Sequence, residues 1–297
     1  MTTITNIFNP NSSKPLILDG AMGSLLQMMG IKPHPELWMS YANLSNPDIV
    51  ISAHKQYIDA GAEIITTNTF RTNPAARKSL PTSEQKTFVN KSVQLAKDAK
   101  SNSNVLIAGS NAPAEDCYQV ERTLGRKELV YNHHRHISEL MESGVNFVLN
   151  ETQSHTDEIE IVCEYCSRNN IPFVISLFFT EELKLLSGEK ISEALTIISD
   201  FNPMAISFNC ITGKEMDKLI GKNKLELKWG FYLNCGTGNY SDPVIESVIN
   251  PEEYISGIKN YFDFSPVFAG ACCGSTPEHI NQLKKYLNER NQTSGAG

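Results

Sequence analysis

Short apolar, strand-like runs alternate with longer helical segments along almost the whole chain, and this alternation restricts the fold more than any other feature. "PLILDG" (15–20) precedes the helical "MGSLLQMMG". "EIITTNTF" (63–70) precedes a helix near 82–100, "VLIAGSNA" (105–112) one near 126–142, and "NFVLNET" (146–152) one over 155–169. "PFVISLFF" (172–179) precedes 190–201, "MAISFNC" (204–210) precedes 213–221, "KWGFYLNCG" (228–236) precedes 251–262, and "PVFAGACCG" (266–274) precedes 277–290. Strands that are apolar nearly throughout need cover on both faces, as in a parallel sheet with crossover helices. Eight such units in 297 residues predict an α/β fold, a single (β/α)8 TIM barrel over 1–297 with loose tails at 1–13 and 291–297. An open doubly wound sheet is the alternative. One extra helix is expected in "LSNPDIVISAHKQYIDAGA", with Ser45 as cap, Pro47 in the first turn and an end before Gly61. It makes the first crossover unusually long.

In a βα barrel the strand C-termini build the catalytic face. Here they carry Asp19 and Gly20, then Thr67, Asn68 and Thr69, then Asn150 and Glu151, Asn209 and Cys210, Asn234 and Cys235, and Cys272 and Cys273. The strand bodies are mostly Val, Ile, Leu and Phe, so polarity gathers at one end. Net charge is −7, with no block of Lys or Arg, which argues against a nucleic-acid partner. No apolar run reaches the length of a membrane helix. The first residues lack a basic segment followed by an apolar one, so a cytoplasmic protein is expected, with self-association left open.

The odd count of seven cysteines, without a secretory signal, argues against a disulfide framework. Cys272 and Cys273 sit in a turn freed by Gly270 and Gly274, just after a strand. "STPE" (275–278) has the spacing of a capping box that opens a helix there. Cys210, at the end of strand six, supplies a third thiolate if the barrel closes. Three thiolates suit zinc and leave the fourth tetrahedral position for substrate. "CEYC" (163–166) lies mid-helix and reads as core, "HHRH" (133–136) reads as a solvated face, and Cys235 would make a surplus ligand.

These motifs resemble the zinc-dependent homocysteine S-methyltransferase family over roughly residues 14–290. "ILDGAMGSLLQ" (17–27), "AGAEIITTNTF" (60–70), "NFVLNET" ending near Glu151, "FNC" ending at Cys210 and "GACCGSTPEHI" (270–280) carry the resemblance. It implies Zn²⁺ on Cys210, Cys272 and Cys273, the cysteines serving as the catalytic centre. It also implies an amino-acid substrate held by Asp19, Gly20 and Glu151, with the two carboxylates toward its ammonium group. Thr67 and Asn68 would lie near that pocket, and Asn234 would be a polar neighbour of the metal. The implied reaction moves a methyl group from S-methylmethionine, S-adenosylmethionine or betaine to homocysteine, giving methionine. Ala271 stands where a glycine is more usual, and Cys235 where a small residue is. "AGSNAPAEDCY" (108–118) departs from the Gly-Pro-Tyr-Gly form of members that use S-methylmethionine, which leaves the donor open. Phe70, Tyr118, Phe178 and Phe179 are candidate aromatic faces for a cationic donor. The competing readings are another thiol or selenol acceptor, a corrinoid-protein donor, a non-catalytic zinc or amino-acid binding barrel, and a barrel without metal. A complete cobalamin-dependent synthase, which carries further modules, is not expected.

Overall fold

The computed structural model of the chain describes residues 7–10, 12, 14–222, 225–237 and 244–294. Eight parallel strands, Leu16–Ile17 (β1), Ile64–Thr66 (β2), Leu106–Asn111 (β3), Phe147–Gln153 (β4), Phe173–Leu177 (β5), Ala205–Asn209 (β6), Trp229–Leu233 (β7) and Phe268–Ala271 (β8), form one sheet. Each of β2 to β7 pairs with its sequence neighbour, and β8 joins β7 to β1. Leu18 bridges Ile64 in parallel and Asp19 N donates to Ile64 O at 2.9 Å, so the sheet closes on itself. The open-sheet alternative is excluded, and the fold is a (β/α)8 barrel.

The helices are Met22–Met28 (α1), Pro47–Ala60 (α2), Thr82–Lys100 (α3), Arg126–Glu142 (α4), Thr156–Arg168 (α5), Ile191–Ser199 (α6), Gly213–Lys222 (α7), Pro251–Ile258 (α8) and Pro277–Ser294 (α9). Each turns an apolar stripe to the sheet. Along α3, for example, Phe88, Val89, Ser92, Val93, Ala96 and Ala99 are buried at helical spacing. The helix starts follow local chemistry. Asn250 Oδ1 accepts from Glu253 N at 2.9 Å, while Glu253 Oε2 accepts from Asn250 N at 3.3 Å, closing a capping box on α8.

Three boundary expectations change. Ser45 ends a short helical turn, Ala42–Ser45, and Asn46 is the residue that precedes α2. The helix expected over 251–262 is α-helical only to Ile258 and then tightens into a 3₁₀ turn, Lys259–Phe264. In "STPE" the cap falls one residue later than the spacing suggested. His279 Nδ1 accepts from Thr276 N at 3.1 Å, so His279 takes the part assigned to Glu278, and Ser275 is free for other work. Phe8, in the segment expected to be a tail, is 1% exposed. Its ring meets Phe147 and Phe268, the first residues of β4 and β8, at centroid distances of 5.9 and 5.2 Å. It therefore stops the N-terminal end of the barrel. The other tail residues, 291–294, extend α9, while 1–6, 11, 13 and 295–297 lie outside the described residues.

Candidate functional site

The strand C-termini open into a pocket of ≈ 520 Å³ lined by residues from most of the barrel and from the first crossover. Cys210 follows β6, and Cys272 and Cys273 follow β8. Their Sγ atoms all lie within 4.8 Å of one another. Cys273 Sγ is 3.9 Å from each of the other two, and those two are in contact, with their Cα atoms 5.7 Å apart. Thiolates around a tetrahedral cation with metal–sulfur bonds of about 2.3 Å stand about 3.8 Å apart. The separations to Cys273 match that edge. This is the one group of three or more potential metal ligands among the described residues. Cys235 is buried beside it, but its Sγ points to Leu233 O at 3.8 Å and it does not join the group.

Two backbone features hold the sulfurs together. Cys210 has φ 55°, a conformation non-glycine residues rarely adopt. Asn209 fixes it: Nδ2 donates to Cys210 Sγ at 3.4 Å and to Thr152 Oγ1 at 2.8 Å, while Oδ1 accepts from Thr152 N at 3.0 Å. After the cysteine pair, Gly274 has φ 80°, and a Cβ there would fall 2.6 Å from the Gly236 backbone, so only glycine fits. Two hydrogen bonds then tie this turn to the one after β1. Gly274 N donates to Ser24 Oγ at 3.1 Å, and Ala21 N donates to Ser275 Oγ at 2.9 Å.

The two carboxylates face the same pocket. Asp19 is 2% exposed, and its oxygens accept from Thr66 N at 2.7 Å and Thr66 Oγ1 at 3.1 Å. Glu151 accepts from the Ser110 hydroxyl, and from Tyr232 OH at 3.4 Å. Burial pushes both carboxyls up, Glu151 to about 7 against the pull of its hydroxyl partners, and Asp19 well above the carboxylate range against the pull of Thr66. Gly20 lets the β1–α1 turn lie flat, since a Cβ there would fall 2.6 Å from Ser275 Oγ and 2.7 Å from the Tyr57 ring.

The remaining expected site residues all line the pocket, but their side chains are largely spent on structure. Thr67 Oγ1 bonds Thr69 Oγ1 at 2.7 Å and accepts from Ser110 N at 3.1 Å. Asn68 clasps the first crossover: Nδ2 donates to Met39 O at 2.9 Å and Asn43 Oδ1 at 3.0 Å, and Asn43 Nδ2 returns a bond to Asn68 O at 2.8 Å. Asn234 Oδ1 accepts from Gly236 N at 3.0 Å. Of the aromatic candidates, Phe70 and Tyr118 line the pocket, Phe178 packs edge-on against Tyr118, and Phe179 is core against Phe208.

Cys163 and Cys166 are buried in the core, as their mid-helix spacing suggested. The "HHRH" expectation is overturned, because His133 and His136 are both fully buried. His133 Nε2 meets Glu158 Oε1 at 2.7 Å, and His136 Nδ1 meets Asn111 Oδ1 at 2.8 Å. Glu158 Oε1 also accepts from Ala114 N at 2.9 Å, so the pair braces the atypical loop at 108–118. Polar residues inside a helix stripe satisfy buried polar loops as readily as they face water. Sequence reasoning missed Ser110 and Tyr232, which orient Glu151, and Trp38 and Arg71 on the pocket wall. Ser110 carried a usable signal, a hydroxyl inside an apolar run one strand from Glu151. Trp38 and Arg71 carried none.

The sequence model of the homocysteine S-methyltransferase family matches residues 16–287. Homocysteine S-methyltransferase 1 of Arabidopsis thaliana is 24% identical, over 92% of this chain and 94% of its own. Homocysteine S-methyltransferase of Escherichia coli (strain K12) is 25% identical over 91% and 94%. Selenocysteine Se-methyltransferase of Brassica oleracea var. italica is 22% identical over 92% and 89%. Among solved structures, the metallated form of the homocysteine methyltransferase MmuM from Escherichia coli superimposes with a TM-score of 0.77 at 22% identity, over 93% of this chain and 99% of that one, which supports the barrel fold. No helix among the described residues is long and apolar enough to cross a membrane. With its family match running from the first barrel strand almost to the end of the last helix, the chain belongs to the homocysteine S-methyltransferase family and is a methyltransferase.

Proposed function

We propose that the chain transfers a methyl group from a small cationic donor to the sulfur of homocysteine, giving methionine, with Zn²⁺ held by Cys210, Cys272 and Cys273. The observation that carries this reading is the convergence of three sulfurs, from two distant parts of the sequence, beside two buried carboxyls in one pocket. The thiol-only donor set suits zinc. The names of the relatives support the acceptor, and the metallated relative supports a cation in this barrel.

A free alkyl thiol has a pKa of about 8.5, so little is nucleophilic thiolate at neutral pH. Bound zinc would supply the Lewis acidity that holds the acceptor sulfur deprotonated. Three cysteine thiolates over-neutralise a dication, so the acceptor sulfur keeps its electron density. Asp19 and Glu151 ionise against the ammonium group of the acceptor and fix its amino-acid end. Trp38 and Phe70, edge to face at 6.2 Å on the pocket wall, offer ring faces to a cationic donor. A new sulfur–carbon bond forms as the donor's bond to methyl breaks, and the electron pair stays on the departing sulfur or nitrogen. No side chain has to take a proton in that step. The residues' task is alignment, with sulfur and methyl carbon roughly 3–3.5 Å apart.

The test is a donor screen. Zinc-loaded protein is mixed with homocysteine and S-methylmethionine, S-adenosylmethionine or betaine, and methionine is measured alongside bound metal. One zinc per chain and methionine from at least one donor are expected. Bound zinc without product from any donor would make the chain a binding protein, and absence of zinc would end the mechanism. Selenocysteine belongs in the acceptor series, because selenocysteine methyltransferases stand among the relatives.

A further inference from the structure

Among the described residues that line the pocket, Arg71 is the one Lys or Arg. It follows β2 on the wall that also carries Phe70 and Trp38. Three contacts set its position. Its backbone N donates to Ser40 Oγ at 3.1 Å, its Nη1 donates to Glu115 O at 2.5 Å, and its guanidinium carbon lies 5.7 Å from the Phe70 ring centroid. Glu36 and Asp116 line the same pocket, yet no carboxylate among the described residues pairs with Arg71. Glu36 accepts from Ser79, and Asp116 accepts from Tyr118 N at 2.9 Å. A partly buried guanidinium whose Nε and Nη2 have no hydrogen-bond partner among the described residues is a carboxylate receptor in form, because those atoms make a fork for two parallel hydrogen bonds. Arg71 and the three clustered cysteines line one and the same pocket, so a single small molecule in it has access to both.

We infer that Arg71 selects a zwitterionic methyl donor by binding its carboxylate while the cationic end faces the sulfurs. This rests on the methyl-transfer reading above and adds the residue that reads the donor's carboxylate. The acceptor's ammonium group already has Asp19 and Glu151 deep in the barrel, whereas Arg71 is tied to the Glu115 carbonyl of the β3–α4 loop, beside the aromatic wall.

The test compares S-methylmethionine and betaine, which carry a carboxylate, with trimethylsulfonium, which does not, all with homocysteine. The wild type is expected to prefer a zwitterion. Arg71→Ala should raise the KM for that zwitterion by about 30- to 100-fold, the scale of a charge-assisted pair. Transfer from trimethylsulfonium and the KM for homocysteine should stay within about twofold. Arg71→Lys should recover part of the loss, since an ammonium supplies charge without the fork. Calorimetric titration of S-methylmethionine and betaine into both proteins gives the same comparison without turnover. Equal loss with charged and uncharged donors, a raised KM for homocysteine instead, or a wild type that takes trimethylsulfonium as readily as the zwitterions, overturns the assignment and leaves the proposed reaction standing. Absence of transfer from every donor removes the reaction and this inference together.

Discussion

Both ends of the barrel hold residues with positive φ, but of different kinds. At the N-terminal end, Gly61, Gly144, Asn170 and Asn202 follow α2, α4, α5 and α6, and Ser101 and Ser265 follow α3 and the 3₁₀ turn. Glycine and asparagine accept this conformation at little cost, and these small residues, the two serines included, simply stop helices there. At the C-terminal end positive φ occurs at Gly274 and at Leu183, and it also falls on Trp38, Thr152 and Cys210, which line the pocket. A bulky side chain, a β-branched one and a cysteine each give up about 1–3 kcal/mol in such a backbone. The surroundings must hold them there, and Asn209 does so for two of the three by bonding both Thr152 and Cys210. One end uses the left-handed region to turn corners, and the other uses it to aim side chains.

That contrast can be tested from its strongest consequence to its weakest. Cys273→Ala at the aimed end should lose bound zinc and lower methyl transfer by more than about 10³-fold while the circular dichroism spectrum stays native. Normal activity in a metal-poor variant would break the comparison. Glu151→Gln should raise the KM for homocysteine by about 30-fold, the value of a hydrogen bond to a charged group, with zinc content unchanged. The same carboxyl sets a pH dependence. Burial lifts Glu151 to about 7, so below that pH it is neutral and a poor partner for an ammonium group. The KM for homocysteine should therefore fall as pH rises through about 7 and then level off. Glu151→Gln should remove that step, and a step that survives would reject the role. At the opposite end, Asn202→Gly should change unfolding free energy by less than about 0.5 kcal/mol and leave activity untouched, as measured by urea denaturation.

How much of this was legible depended on where each residue sits. The barrel and the order of its strands follow from alternation alone, because apolar parallel strands have few other ways to be covered. The thiol cluster was legible because all three cysteines stand at strand ends, where barrel geometry brings distant sequence together. The carboxylates Asp19 and Glu151 were placed by the same logic. The pocket wall was not. Trp38 reaches the site from an irregular crossover whose course is set by Asn43 and Asn68, and neither amide has a sequence period. His133 and His136 were misjudged for a related reason. Their partners Glu158, Asn111 and Thr72 come from other elements, so one helix read alone could not show what its polar stripe faces. The cap of α9 slipped by a residue because His279 substitutes for an acid, which frees Ser275 to accept from Ala21.

That freed hydroxyl has a consequence of its own. With Ser24 Oγ accepting from Gly274 N, the first and last turns of the barrel are stitched by two threads running in opposite directions. The backbone that presents the paired cysteines and the backbone beside Asp19 must therefore move together. On the function proposed above, a cation seated on the sulfurs would stiffen the cradle for the incoming amine, and an amine settled in that cradle would tighten the grip on the cation, each guest preparing the room for the other.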